Sequence, residues 1–301
     1  MRIFGGPSPT PPVRRAAFLS MDSLDGFVTY DHLAVAPLAA RGWRVDEVSW
    51  RSGADWGAYE AVVIRTPWDY HEAPEAFLGV LEGIEASRAR LANPLGVVRW
   101  NLDKRYLRDV DASGAPIVPT LWLDGLTAEA LEAAFERFGP ELVAKPQVGA
   151  SAVDTFRLAR GADAAPALAA LRQRPTMVQG FVPAVADEGE FSLFFFGSAY
   201  SHAILKTPAS GDFRVQEEHG GRIVGVEPEP ALRAAAVRAV RAAAEASGAG
   251  PLLYARPDLV RMPDGSWAVM EIELVEPSLY FPYGEGSAER FAEAFVRWME
   301  A

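Results

Sequence analysis

The sequence predicts an α/β protein built in more than one part, and three observations carry that prediction. Between Ala16 and Ala86, short apolar runs of strand length alternate with stretches of helical periodicity, the pattern of a parallel sheet with crossover helices. From Leu252 to Pro282, two apolar runs flank Asp264-Gly265, a hairpin signal that belongs to antiparallel pairing. The chain has 301 residues, half of them hydrophobic, enough for about two domains with sizeable cores.

Composition excludes several classes. A net charge of −11 argues against a nucleic-acid partner, which needs a basic face. With no cysteine there are no disulfides, thiolate metal sites or cysteine nucleophiles. No apolar run approaches the roughly 20 residues of a membrane span. Residues 1–13 begin Pro/Gly-rich, lack the apolar core of a signal peptide, and read as a flexible lead, with the cytoplasm as the default location.

The elements follow in order. Ala16–Ser20 is the first strand, and a polar loop runs from Met21 to Thr29. Asp31 is placed to cap a helix through about Arg41, which Gly42 ends. Trp43–Trp50 alternates as a second strand, Ala61–Arg65 is a buried third, and Phe77–Ala86 is helical. Loops leaving the C-terminal ends of parallel strands tend to hold ligands. That makes Asp22, Asp25, Arg65, Asp69 and His71 candidates for substrate contact, with ordinary polar loop positions the equally open alternative.

A boundary falls near Asn93–Gly96, and Asn101–Tyr106 opens a helix ending at Gly114. Val118–Leu123 is a strand, and Thr127 caps a helix that Gly139-Pro140 stops. The strand from Glu141 then runs through Lys145 into Gly149-Ala150-Ser151. A lysine at a strand end beside small residues suits a phosphate, although the ending of a Walker A loop is missing. Asp163–Arg172 is helical. Thr176–Val182 is an uncharged strand in which Gln179, Gly180, Phe181 and Val182 offer backbone groups between apolar walls, a setting suited to adenine. Phe191–Phe196 and Tyr200–Lys206 form an antiparallel pair. Ser210–Arg222 is polar and glycine-containing, carries Arg214 and Arg222, and is expected to close over phosphates; a solvated loop is the alternative. Pro230–Ser247 is an amphipathic helix. Ser287–Met299 is another, with Phe291, Phe295 and Trp298 as core residues.

In the hairpin, a two-residue turn at Asp264-Gly265 sets Asp258 opposite Glu271 and Arg256 opposite Glu273, all on one face. Carboxylates that close repel unless a cation intervenes, and an oxygen-only set suits Mg2+. A surface hairpin with solvated charges, or an ordinary Arg256–Glu273 ion pair, is the alternative.

Lys104, Lys145, the Gln179–Val182 strand and the Asp258/Glu271/Glu273 hairpin, in that order, resemble the ATP-grasp superfamily, in particular its glutathione synthetase-like branch. The resemblance spans roughly Asn93 to Pro282. It implies a Rossmann-like pre-ATP-grasp domain over 14–97 and a two-lobed ATP-grasp domain, with a first lobe over 98–183 and a second over 184–301 carrying the metal site. By that resemblance Lys104 and Lys145 hold the nucleotide phosphates with Ser151 nearby, and Gln179, Gly180, Phe181 and Val182 read adenine. Glu188 or Glu190 meets the ribose. Asp258, Glu271 and Glu273 bind two Mg2+ ions, Mn2+ being an alternative. The family ends this metal strand in Glu-x-Asn; here Glu273 puts an anion where the family has a neutral ligand.

Several stretches narrow the resemblance to a small subgroup that includes the cyclo-ligase of D-cycloserine biosynthesis. They are Arg65–Tyr70, Glu188–Leu193, Ser201–Ala203, Lys206–Pro208, Gly211–Gln216 and Glu273-Leu274-Val275-Glu276-Pro277-Ser278-Leu279. The reaction implied is ATP-dependent activation of a small amino-acid-like or peptide-like acid as an acyl phosphate, followed by attack of an amine, between molecules or within one. ADP and phosphate leave. Arg256 lies beside the phosphates, and Lys206, Arg214 and Arg222 hold the γ-phosphate or the substrate carboxylate. A homodimer is compatible with the family. An ATP-binding regulator without turnover and a phosphotransferase are the readings from other classes.

Overall fold

The structure is a computed structural model and describes residues 13–149, 152–209, 214, 215, 217 and 220–301. Three sheets organise it. The first is parallel and four-stranded: β1 (Arg14–Ser20), β2 (Trp43–Ser49), β3 (Ala61–Thr66) and β4 (Arg90–Ala92), in the order β2-β1-β3-β4. Its central strands are apolar on both faces because both are covered. The helix α1 (Val35–Ala39) follows β1, and α2 (Pro74–Glu85) follows β3.

After α3 (Leu95–Asn101) and α4 (Tyr106–Ala112) comes a second, antiparallel sheet. Its strands are β5 (Thr120–Leu123), β6 (Glu141–Pro146), β7 (Phe156–Ala159) and β8 (Thr176–Gly180), in the order β5-β8-β6-β7. The helices α5 (Ala128–Phe138) and α6 (Ala165–Leu171) pack on it. Thr127 caps α5 as expected, its hydroxyl accepting from the Ala130 amide at 3.1 Å.

A short helix, α7 (Ala184–Asp187), leads into the third sheet, which is antiparallel and ordered β11-β10-β9-β12-β13. Its members are β9 (Glu190–Phe196), β10 (Ala199–Thr207), β11 (Arg222–Gly225), β12 (Tyr254–Arg261) and β13 (Trp267–Glu273). The 17-residue α8 (Pro230–Ala246) covers one face with an alanine-rich stripe. The last helix, α9 (Ser287–Glu300), lies between the third sheet and the first. Phe291 stacks edge-on to Phe18 and Phe196, and Phe295 to Trp43, so its aromatics are core residues as expected.

The sequence reading missed β4, α3, α7, β7 and β11. Each is three to seven residues long, too short to show a period. Asp31 was expected to cap a helix and does not. It is buried and paired with Arg65 at 3.1 Å, and the segment it opens is one turn of 3-10 helix followed by the short α1. Ser151 and most of the Ser210–Arg222 stretch lie outside the described residues. No helix among the described residues is long and apolar enough to cross a membrane.

Candidate active site

The hairpin registers as the sequence predicts, by an unexpected route. Its turn holds three residues, Pro263-Asp264-Gly265, between Met262 and Ser266, with Gly265 at φ +82. A one-residue bulge between Asp258 and Leu259 then absorbs the offset, leaving Met270 as the extra residue. The two departures cancel. Asp258 faces Glu271, Arg256 faces Glu273, and all four share one side of the sheet.

That side is held in place from the next segment of chain. β13 is the outer strand of its sheet, and its free edge is taken up by α3, α4 and the segment that follows them. The Asn101 side chain donates to the Ile272 carbonyl at 2.9 Å and accepts from the Leu274 amide at 3.0 Å. The Tyr106 hydroxyl accepts from the Ile272 amide at 2.7 Å, and Val118 donates to the Val269 carbonyl at 3.0 Å. Lys104 sits between Asn101 and Tyr106, so the same contacts drive its ammonium onto Glu271 Oε1 at 3.0 Å and the Gly149 carbonyl at 2.8 Å.

On the neighbouring strands the charges interlock. Arg256 donates to both oxygens of Asp258, at 3.1 and 3.0 Å, and also pairs with Glu273. Lys206 on β10 donates to Asp258 Oδ2 at 3.1 Å and pairs with Glu190. Gly189 lets β9 begin here: a Cβ on it would lie 2.5 Å from the Lys206 carbonyl, and its φ is +116.

These groups face a cavity of about 260 Å3 where loops and strands of all three sheets meet. One end is apolar, lined by Val118, Val143, Val182, Val185 and Met270 beside Gln179, Gly180 and Phe181. The middle carries Lys104, Lys145, Lys206, Arg256 and the carboxylates. The far end is aromatic, with Phe27, Trp68, Tyr70 and Tyr280.

The electrostatics divide the acids into kinds. Burial works against the Asp258 charge, but Arg256 and Lys206 outweigh it and hold the carboxyl down to about 2. Burial likewise opposes Glu271, and Lys104 and Lys145 prevail, lowering it. For Glu273 burial wins over Arg256, lifting the carboxyl to about 8. Glu190 is also raised by burial, against the pull of Lys206. Lys104 is raised because Glu271 outweighs burial. Lys145 is lowered by burial, with the neighbouring Lys104 adding to it. Among the described residues Lys145 has no hydrogen-bond or ion-pair partner; it is the one lysine of the cavity left without an anion.

Among the described residues no three acidic or histidine side chains close on one point as a ready-made metal cage. The three hairpin carboxylates share a face, but each is turned onto a cation. The ordinary Arg256–Glu273 pair entertained from sequence is present as well.

The remaining expected residues divide. Arg214 lines the cavity. Arg222 begins β11 at an exposed edge and does not. Glu190 lines the cavity, whereas Glu188 pairs with Arg261 at 3.0 Å away from it. The loops after β1 and β3 do face the cavity, but through Phe27, Val28, Trp68 and Tyr70 rather than through the polar residues expected. Asp69 is taken by Arg51 and Trp50, His71 caps the Trp68 carbonyl, and Arg65 lies 1% exposed on Asp31 and the Pro277 carbonyl. The aromatic signal lies in Trp68-Asp69-Tyr70, where the rings and not the carboxylate reach the cavity.

A family model for the N-terminal domain of D-cycloserine synthetase DcsG matches residues 16–93. The cycloserine biosynthesis protein DcsG of Streptomyces lavendulae is 36% identical over 266 residues, 85% of this chain and 89% of that one. The chain belongs to the DcsG family.

Its likeness to the crystal structure of D-cycloserine synthetase DcsG is correspondingly complete. The TM-score is 0.82 at 32% identity, over 95% of this chain and 99% of the other. The structure of the ATP-grasp ligase PsnB complexed with minimal precursor, Mg and ADP shares the fold, with a TM-score of 0.65 at 17% identity over 95% of this chain and 98% of that one. This DcsG-family chain is therefore an ATP-dependent ligase of the ATP-grasp fold, as its motifs implied.

Proposed function

We propose that this ligase activates a small amino-acid-like carboxylate as an acyl phosphate, which an amine then attacks, between molecules or in a ring closure. The observation that carries the proposal is Lys145. It is a half-buried lysine with no ion-paired anion among the described residues, beside Lys104, in a cavity that also presents three carboxylates on one sheet face. A lysine so placed lacks a negatively charged group, which a nucleotide phosphate supplies.

The donor set fits magnesium: three carboxylates, no nitrogen or sulfur, on adjacent strands. Asp258, Glu271 and Glu273 would hold Mg2+, which when bound neutralises phosphate charge. The chain's own residues do the rest. Gln179, Gly180, Phe181 and Val182 bind the adenine at the apolar end, and Glu190 is placed for the ribose. Lys104 and Lys145 hold the phosphates. Arg256 and Lys206, each pinned by Asp258, stay charged beside the transferring group, and Arg214 lines the same cavity. Phosphoryl transfer asks for positioning and charge more than covalent help, which suits a chain without cysteine.

The test is ADP release across a panel of amino acids and small peptides, O-ureido-D-serine included, each with and without an added amine. ADP formed together with an amide or ring product is the expected result. Release with an acid alone that leaves a stable phosphorylated product means a phosphotransferase. ATP binding with no release across the panel means a regulator.

A further inference from the structure

Among the described residues, the Ser192 hydroxyl is the one fully buried side-chain polar group that makes no hydrogen bond. Ser192 is 0% exposed, and the other residues from Phe191 to Phe196 are all phenylalanine or leucine. Its strand, β9, is an inner one, paired with β10 on one side and β12 on the other. Directly across from Ser192 lie Ile204 on β10 and Asp258 on β12. Of these two side chains only Asp258 can accept a hydrogen bond, and side chains opposed in this way have Cβ atoms about 5 Å apart. Burial opposes the Asp258 charge and Arg256 and Lys206 uphold it. Ser192 adds to them from within reach of the carboxylate, without closing a hydrogen bond onto it. Both carboxylate oxygens are already engaged by cations: Arg256 donates to each, and Lys206 to one. A buried hydroxyl left unbonded costs free energy that an apolar side chain of the same shape would not.

A metal ion competes with ammonium and guanidinium groups for carboxylate oxygens, and their like charges repel. A carboxylate that binds a metal therefore needs a donor that brings no positive charge, and a hydroxyl is such a donor. We propose that Ser192 is a positioning residue for the metal site: when Asp258 holds Mg2+, the Ser192 hydroxyl donates to its carboxylate and keeps it aimed into the cavity. This rests on the ligase reading and deepens it. Ser192 does not line the cavity, so it acts through Asp258 alone, as the outer partners of metal ligands do by orienting them. The same bond explains why a polar residue stands in an otherwise apolar run: its partner is already taken until the metal arrives.

The experiment uses the full chain with ADP, and Mn2+ as a probe for Mg2+, with bound Mn2+ counted by electron paramagnetic resonance. Wild-type protein should bind Mn2+ when ADP is present. Ser192→Ala should bind it about tenfold more weakly or worse, the range for removing an outer partner of a metal ligand. Ser192→Cys, close in shape but a weak donor, should follow Ser192→Ala and guards against a packing defect in it. Ser192→Thr, which keeps the hydroxyl, should recover most of the loss. Affinity for ADP in EDTA should stay within twofold in all three. Without metal or nucleotide, Ser192→Ala should melt within a few degrees of wild type, because no hydrogen bond is lost. Wild-type Mn2+ affinity in Ser192→Ala overturns the inference and leaves the ligase reading intact. An equal loss in the Ala and Thr variants, or a large fall in the metal-free melting temperature of both hydroxyl-free variants, would mean that Ser192 only packs β9, and also overturns it. Should wild type bind no nucleotide, or ADP without Mn2+, the inference falls together with the ligase reading on which it rests.

Discussion

Among the described residues Lys145 has no ion-paired anion and Glu276 no ion-paired cation, and single substitutions should separate their roles. Lys145→Met should weaken the affinity for ATP by tenfold or more and abolish turnover, with little change in the melting temperature, since the ammonium makes no hydrogen bond or ion pair among the described residues and burial disfavours its charge; calorimetry with ATP checks it. Asp258→Asn behaves differently. Its carboxylate is shared by Arg256 and Lys206, so losing it strands two buried cations and should cost about 3–5 kcal/mol of stability besides turnover. The repulsive patch expected from sequence is thus, at Asp258, a net attraction, because Lys206 arrives from β10, a strand that a reading of the hairpin alone does not include. Alongside the raised Glu273 and Glu190, Glu276 carries part of the pH dependence. Its carboxyl is lifted from 4.5 to about 7, mainly by burial. The folded state therefore holds the proton more tightly than the unfolded chain. The stability that this contributes is complete below about pH 4.5 and is lost as the pH rises through 7. Glu276→Gln mimics the protonated form. In the absence of nucleotide it should melt higher than wild type at pH 8, by an amount on the order of 1–3 kcal/mol, and the gap should close by pH 5 in a series of thermal melts.

At the scale of one element, the β12–β13 hairpin shows what sequence can and cannot fix. Asp264-Gly265 marks the turn, and the apolar Leu259, Val260, Val269 and Ile272 mark the flanking runs as core strands. The three-residue turn was not legible, nor was the bulge, because a bulge has no residue signature of its own. The facing of Asp258 and Glu271 was nonetheless right, because the extra turn residue on one side and Met270 on the other displace the register in opposite senses. The pairing can be tested by removing the bulge. Deleting Met270 leaves a regular ladder in which Val269 still faces Leu259, Glu271 still faces Asp258 and Glu273 still faces Arg256, so the carboxylates keep their side of the sheet. The product should fold and retain turnover, losing only the Met270 side chain from the cavity wall. Gly265→Ala meets nothing within 4 Å and only strains a positive φ. It should cost about 1 kcal/mol and leave turnover unchanged. A Met270 deletion that folds without any activity would mean that the bulge itself, and not only the pairing, aligns the carboxylates.

Across the whole molecule, the cavity exists because the first sheet is fastened to the third at the hairpin's C-terminal end. Sequence reading found the two sheets but not the fastening, since the residues that make it are single polar side chains far apart in the chain. Arg65, a loop candidate from sequence, is one. Buried on Asp31 and over the Tyr254 ring, it holds the Pro277 carbonyl and so the loop that carries Glu276. Asn93 is another, bonding the Tyr254 and Leu274 carbonyls and the Leu253 amide. The Tyr254 hydroxyl sits among the carbonyls of Ile64, Ala92 and Val275, at 2.9, 3.2 and 2.8 Å, and donates its one proton within that cluster. Removing Arg65 leaves Asp31 as a buried lone carboxylate, so Arg65→Met should cost about 3–5 kcal/mol. Tyr254→Phe leaves buried acceptors short of a donor for about 1–3 kcal/mol. The two changes should differ in kinetics as well. Tyr254 fastens the sheets without reaching the Glu276 loop's far side, so Tyr254→Phe should leave both KM values near wild type at temperatures where the protein is folded. Arg65→Met frees the Pro277 carbonyl, so it should raise the KM for the acid substrate severalfold while the KM for ATP stays within twofold, because the end of the cavity proposed for the nucleotide draws on Val143, Gln179 and Gly180 of the second sheet. Measuring both KM values below the melting transition of each variant decides it. A parallel rise in the two would mean that Arg65 supports the fold as a whole and has no particular hold on the substrate loop.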